Sequence, residues 1–141
     1  MPEYGPEFEK KIFHGCSVME EGKKNKDFTM ALKIFEDAWS ELPEPKYYYN
    51  ESYLVALWMV EIGMELKDNR MMLEWIPHLL AAAKERADIG DREEAVGEAY
   101  YEMGDLDKAF EYFSIGVQKS RGGRCFAGRD KKYKKFYLDR K

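Results

Sequence analysis

The sequence predicts an all-α protein built from helical hairpins. Residues 97–113, GEAYYEMGDLDKAFEYF, combine helically spaced apolar residues with a central Gly-Asp dipeptide, which indicates two helices joined by a tight turn. Gly97 and Ala109 are small, so the two helices can approach each other closely. Asp105 follows Gly104 and is suited to cap the second helix, because its carboxylate can accept hydrogen bonds from free N–H groups.

A second hairpin is predicted near the N-terminus. Gly15 and Gly22 match Gly97 and Gly104 of the hairpin at 97–113. The residues that match its second helix are Ala31, Phe35 and Ala38. Val18 replaces an aromatic residue, and residues 23–30 lengthen the turn. Pro43 follows the second helix, where a proline prevents the helix from continuing.

The middle of the chain predicts a third and less regular hairpin. Lys67-Asp68 takes the position of the Gly-Asp turn. Val60, Gly63 and Met72 then stand where the last hairpin has Gly97, Tyr100 and Ala109. Only the amphipathic pattern of the two helices survives there. The middle hairpin is therefore predicted from periodicity rather than from matching residues.

Two local features, one inside this middle hairpin and one in the loop before it, leave alternatives open. Pro77 falls inside its second helix, predicted to run from about 69 to 86, and an interior proline loses one hydrogen bond and clashes with the preceding turn. We expect a kink or a break near Trp75, as a device that reshapes a groove or as a tolerated irregularity. The three tyrosines at 47–49 are expected to pack on the next helix or to form an exposed patch.

The spacing within residues 97–113 resembles the consensus of the tetratricopeptide repeat (TPR). The matching positions are Gly97, Tyr100, Gly104-Asp105, Ala109 and Phe113. One repeat cannot bury its own apolar face, so further copies are expected. The resemblance implies a single TPR-like domain over residues 1–141, a right-handed superhelix of three antiparallel helical hairpins at about 6–43, 50–86 and 89–120. A helix at about 128–140 is expected to cap the last hairpin.

Charge divides the chain into an acidic body and a basic end. Residues 1–118 contain 13 Lys and Arg against 25 Asp and Glu, whereas residues 119–141 contain 10 Lys and Arg against 2 Asp and Glu. An acidic body attracts basic partners and accelerates their association, mainly at low salt. The division therefore predicts a basic partner for most of the chain.

The TPR resemblance implies that the first helix of each hairpin lines a concave groove. The residues expected to contact a partner there are Glu61, Met64, Glu65, Glu94, Glu98, Tyr101 and Glu102. They make the groove acidic with apolar and aromatic inserts, so we expect a basic protein segment to bind. The alternative is that the acidic residues only keep this face solvated.

The basic C-terminal segment also carries aromatic residues. Those expected to cover the apolar end of the last hairpin are Phe126, Tyr133, Phe136 and Tyr137. Interleaved aromatic and basic residues can instead bind nucleic acid by stacking and phosphate contacts. We favour the capping role, because an acidic body repels nucleic acid. A further alternative is that this basic helix folds against the acidic groove.

Catalysis is disfavoured by the residue inventory. The two histidines are His14 and His78, and Cys16 and Cys125 are isolated with no CxxC pair. His14 and Cys16 are two residues apart and point to different sides of a helix, which argues against a thiolate–imidazole pair within that helix. The glycine-rich stretch GGRCFAG lacks the ending of a phosphate-binding loop. We expect no enzyme activity, no cofactor and no metal site.

The sequence also predicts a cytoplasmic monomer that does not enter membranes. The N-terminal stretch MPEYGPEFEKK lacks the apolar run of a signal peptide. The longest apolar run, SYLVALWMVEIGM, is too short to cross a bilayer and contains Glu61. Isolated cysteines are typical of a reducing compartment.

Together these features predict a non-enzymatic protein–protein interaction module with an acidic concave groove for a basic partner. The chain is similar to short, divergent bacterial TPR-like proteins, some of which are immunity proteins that neutralise toxins. An acidic inhibitor of a basic toxin would suit the charge pattern. The alternatives are a peptide-binding adaptor or secretion-chaperone-like module, and a nucleic-acid-binding module that uses the basic C-terminal helix.

Overall fold

The computed structural model describes residues 4–84, 88–121 and 125–141. Within these ranges the chain is all-α and contains no strand, so the prediction of an all-α protein is confirmed. The helices are α1 (Pro6–Gly22), α2 (Thr29–Glu41), α3 (Asn50–Leu66), α4 (Asn69–Ala81), α5 (Asp91–Met103), α6 (Leu106–Ser120) and α7 (Lys131–Arg140), and a short 3-10 helix (Lys46–Tyr48) precedes α3. None of the described helices is long and apolar enough to cross a membrane.

The helices pair within two compact units, residues 1–86 and 87–141. In the first unit α1 packs against α2 and α3 packs against α4, while α3 also contacts α1 and α2. In the second unit α6 packs against both α5 and α7. The pairs α1–α2, α3–α4 and α5–α6 lie within the three ranges in which the sequence predicts hairpins.

Glycine allows the two helices of the first pair, and those of the last pair, to touch. A Cβ atom on Gly97 would lie 2.6 Å from the ring of Phe113, and a Cβ atom on Gly15 would lie 2.7 Å from the ring of Phe35. Real Cβ atoms do not approach other atoms this closely in a packed core, so both positions require glycine. The two pairs therefore share the contact that the sequence match between Gly15 and Gly97 implies.

The middle pair makes its close contact at a different position. A Cβ atom on Gly63 would lie 2.8 Å from Cγ of Met72. These positions align with Tyr100 and Ala109 of the last pair, where Tyr100 packs against the cluster that contains Ala109. The large and small residues have thus exchanged helices. Such an exchange keeps the combined volume similar, so an irregular sequence can preserve the packing of its two helices.

The turns of the middle and last pairs have the same construction. Gly104 ends α5 with φ of 85°, and Lys67 ends α3 with φ of 54°, so both residues adopt the left-handed conformation that favours glycine. Asp105 and Asp68 follow, and each side chain accepts a hydrogen bond from the backbone N–H three residues later, at 3.2 and 3.1 Å. The cap expected at Asp105 is present, and Lys67-Asp68 reproduces the Gly-Asp turn.

Helix α4 runs through Pro77 without a break, so of the kink or break expected near Trp75 the break is absent. The proline removes one backbone hydrogen bond, but Trp75 and Leu79 on either side of it are buried and hold the helix against its neighbours. The helix also ends at Ala81 rather than near residue 86. Burial of its apolar face, rather than local propensity, thus decides the course of α4.

The two turns generate a paired prediction about stability. Lys67→Gly should raise the free energy of unfolding by about 1 kcal/mol, because glycine adopts the left-handed conformation without a steric penalty. Gly104→Ala should lower it by a similar amount, since an added Cβ atom would meet nothing within 4 Å and only backbone strain would change. Urea unfolding of the two variants tests both values. A destabilised Lys67→Gly variant would contradict the assignment of the turn.

Candidate functional site

The C-terminal segment, residues 125–141, completes the core of the second unit. Phe126, Tyr133 and Tyr137 are buried in one cluster with Ala109 and Phe113 of α6, and Phe136 packs against the same cluster. All four aromatic residues expected to cover the last hairpin therefore contribute to its core. Burial of this much aromatic surface makes the segment an integral part of the fold.

Tyr101 of α5 joins this aromatic cluster. Its ring lies edge-on to the rings of Tyr133 and Phe136, with both centroid distances at 5.3 Å. Edge-to-face arrangements of this kind are favourable beyond the burial of apolar area. The side chain that the sequence places in a partner-binding groove is thus in contact with α7 of its own chain.

Two carboxylates on α5 bind basic residues of the same segment. Glu98 is 1% exposed and forms a bidentate pair with Arg129, with Nη2–Oε1 at 2.6 Å and Nε–Oε2 at 3.0 Å. Glu102 accepts a hydrogen bond from the Tyr133 hydroxyl at 2.8 Å. It also forms an ion pair with Lys132, whose Nζ lies 2.6 Å from Oε1 of Glu102. Bidentate carboxylate–guanidinium pairs are among the stronger hydrogen-bonded contacts in proteins.

Glu94, the remaining predicted residue of α5, lies beside Cys125. Burial raises the pKa of the Glu94 carboxyl, while a backbone hydrogen bond from Phe126 and the charge of Arg129 oppose this shift. Burial and the nearby Glu94 together raise the pKa of the Cys125 thiol to about 12. This thiol therefore stays protonated near neutral pH, which is the opposite of what a nucleophilic cysteine requires.

The segment also neutralises the second unit. Residues 87–141 contain 12 Lys and Arg against 11 Asp and Glu, whereas residues 1–86 contain 11 against 16. The excess of acidic residues thus lies in the first unit. The predicted residues Glu94, Glu98, Tyr101 and Glu102 have partners within the chain, and the prediction that they contact another protein stays a prediction.

The other three predicted residues lie on α3 and are partly exposed. Glu65 pairs with Lys26 at 2.6 Å. Burial raises the pKa of the Cys16 thiol, and the charges of Glu20 and Glu61 add to this shift. Burial lowers the pKa of Lys23, but a hydrogen bond to Glu20 and the charge of Glu61 oppose that effect, and the net shift is upward. Met64 supplies an apolar side chain beside them. The charge of this face is therefore partly balanced by lysines.

A groove between α2 and α4, which we call the α2–α4 groove, was not predicted from the sequence. It has a volume of about 360 Å³. Its apolar floor is formed by Leu32, Met59, Met71 and Trp75. Its charged rim is formed by Glu36, Asp68, Arg70 and Glu74. The partner-binding residues predicted from the sequence lie on the first helices of the hairpins, whereas these rim residues lie on or next to second helices.

Trp75 of the groove floor packs against other aromatic rings. Its ring contacts those of Trp39 and His78, with both centroid distances at 5.0 Å. Tyr47 packs on Trp39, and its hydroxyl lies 2.7 Å from Nδ1 of His78. Tyr47 thus contacts Trp39 of α2 and His78 of α4 and is 39% exposed, and Tyr48 is half exposed, so packing of the three tyrosines on the next helix stays a prediction. Burial lowers the pKa of His78, and the nearby Glu74 opposes that shift.

Comparisons with known proteins do not identify this chain. The sequence matches no family model, and neither the curated proteins nor the solved structures contain a match. Among the described residues, no group of three or more His, Cys, Asp or Glu side chains could hold a metal ion. The interpretation of the chain therefore depends on its own geometry.

The Glu98–Arg129 pair predicts an asymmetric response to mutation. Arg129→Ala leaves a buried carboxylate without its main partner and should lower the free energy of unfolding by about 2–3 kcal/mol. Glu98→Gln should cost less, because Arg129 has a side chain that is 39% exposed and can turn to water. In Arg129→Ala/Glu98→Gln the loss should be smaller than in Arg129→Ala alone. Urea unfolding would contradict the account if Glu98→Gln were the more damaging single change.

The His78 environment predicts a pH dependence. Because burial lowers the pKa of His78 below the ordinary value of 6.5, the unfolded chain takes up this proton first as the pH falls. The free energy of unfolding should therefore decline from about pH 6.5 downwards, and His78→Gln should decline less. An NMR titration of the imidazole should give a midpoint below 6.5. A midpoint above that value would contradict the burial argument.

Proposed function

We propose that this protein acts without catalysis, as a TPR-like module that binds a basic segment of another protein. The architecture in this proposal draws support from the contacts of Gly15 with Phe35 and Gly97 with Phe113. These contacts repeat the small-residue and aromatic positions of the TPR pattern in two of the three helix pairs. A right-handed superhelix of the three pairs is part of the proposal.

One observation carries the choice of a basic partner. The face of α5, which combines carboxylates with Tyr101, holds the basic and aromatic segment 125–141 through Arg129 and Lys132. The hairpin therefore already binds a segment that is basic, as the partner is expected to be. We infer that other acidic helix faces of this chain recognise the same chemistry in a different protein.

The partner is expected on the first unit rather than on α5. To reach Tyr101 a partner would have to displace Tyr133 and Phe136, and to reach Glu98 it would have to displace Arg129. Exposing a buried aromatic side chain costs about 2 kcal/mol. Residues 1–86 carry the excess of acidic residues. Among the predicted contact residues, Glu61, Met64 and Glu65 lie in this first unit, and we assign those of α5 to holding the C-terminal segment.

The chemistry of the reactive side chains supports a role without catalysis. Both thiols have raised pKa values, from burial and from nearby carboxylates, so neither Cys16 nor Cys125 is activated as a nucleophile. His78 packs among Trp39, Tyr47 and Trp75. A nucleic-acid role through the C-terminal helix is also disfavoured, because buried Tyr133 and Tyr137 are not available to stack on bases.

A basic bacterial toxin is one partner that agrees with this proposal. The chain would then be an immunity protein, a role that some short bacterial TPR-like proteins have. The acidic first unit would cover a basic surface of the toxin, and opposite charges would accelerate the encounter. The required chemistry is shared by any partner that presents a basic segment, so the experiment below tests that class as a whole.

Capture from native lysate tests the proposal. Proteins retained by the full chain at about 0.05 M salt should carry basic segments and should be released at about 0.5 M salt, since screening weakens attraction between surface charges. A carbodiimide cross-linker, which joins carboxylates to lysines, should link partner lysines to carboxylates of the first unit. Retention of acidic proteins or of nucleic acid, or complexes that resist salt, would contradict the proposal.

A further inference from the structure

The α2–α4 groove has the size and floor of a site for an apolar side chain. Its volume of about 360 Å³ lies near the lower end of the range for ligand pockets. Met59 and Trp75 are almost fully buried at its base, while Leu32 and Met71 are partly exposed. Methionine adapts readily to different shapes, so the floor can accommodate more than one kind of apolar group.

The rim of this groove carries acidic charge that lacks a partner. Glu36 and Glu74 are exposed and form no salt bridge among the described residues. Asp68 accepts the backbone hydrogen bond that caps α4, and Arg70 is the one basic residue among those lining the groove. Three carboxylates thus face one guanidinium. The groove therefore has a negative field close to its mouth.

This arrangement differs from that of the residues predicted from the sequence. Glu65, Glu98 and Glu102 each form an ion pair with a lysine or arginine of the same chain. A partner that binds those carboxylates must compete with the existing pairs, whereas a partner at Glu36 and Glu74 need not. A basic partner can therefore pair with Glu36 and Glu74 of the α2–α4 groove without first breaking an ion pair.

We propose that the α2–α4 groove binds a basic segment of a partner protein that inserts one apolar side chain between α2 and α4. The lysines or arginines of that segment pair with Glu36 and Glu74, and the apolar side chain contacts Met71 and Trp75. This inference rests on the proposed function and identifies the surface that binds the basic partner. It moves the contact from the first helices of the hairpins, where the sequence places it, to the second helices.

Synthetic peptides test this inference on the full-length protein. The probe is a peptide of about twelve residues in which lysine alternates with glycine around one central leucine. One control peptide replaces the leucine with glycine, and another replaces the lysines with glutamate. The leucine-containing lysine peptide should bind most tightly, and in NMR spectra it should shift the amide signals of Leu32, Glu36, Met71 and Glu74.

Two matched double variants locate the site. Glu36→Gln with Glu74→Gln should weaken binding of the probe by roughly five- to tenfold at low salt, because two exposed charge pairs are lost. Glu61→Gln with Glu65→Gln removes the same number of charges from α3 and should change the affinity by less than about twofold. All four residues lie on the helix surface, so circular dichroism should show that both variants stay folded.

The other outcomes separate this inference from the proposed function. If the α3 variant weakens binding and the groove variant does not, the groove is wrong and the proposed function stands. Equal affinity for the leucine and glycine peptides would overturn the insertion of an apolar side chain. If the lysine peptides do not bind, or the glutamate peptide binds as tightly, the inference and the proposed function both fail.

Discussion

The pairing of buried Glu98 with Arg129 is the contact on which the second compact unit depends. A carboxylate that is removed from water costs several kcal/mol unless an opposite charge and hydrogen bonds replace its hydration. Residue 98 is on α5, immediately after the glycine that contacts Phe113, so the close packing of α5 on α6 depends on a cation placed there. Arg129 supplies it, and Tyr133 and Tyr137 close the same core. The basic C-terminal segment is therefore part of the fold.

Features of the fold that depend on neighbouring residues could be predicted from the sequence. The turn at Gly104-Asp105 and its irregular counterpart at Lys67-Asp68 are local, since backbone conformation and capping involve residues three or four apart. The course of α4 could not be predicted in this way. Local rules favour a kink or a break near Pro77, and the helix continues because burial of the side chains around it outweighs one missing hydrogen bond.

The charged surface could be predicted only in part, because the fold decides which acidic and basic side chains pair with each other. The sequence identified acidic positions on α5 and a basic, aromatic C-terminal end, and it left open whether the two fold together. It gave no means of pairing Glu98 with Arg129, which is 31 residues away. The α2–α4 groove was further out of reach, since its floor combines Met59 of α3 with side chains of α2 and α4. Self-neutralisation of α5 moves the candidate partner surface to the first unit.

Amide hydrogen exchange of the full-length protein tests the central claim most directly, because it measures the free energy of opening for each helix. If residues 125–141 belong to the core of the second unit, the slowest amides of α7 should open with the same free energy as those of α5 and α6. A C-terminal helix whose amides exchange about a hundredfold or more faster than those of α6 would contradict the account. The α5 face would then be open to a partner, as the sequence alone predicts.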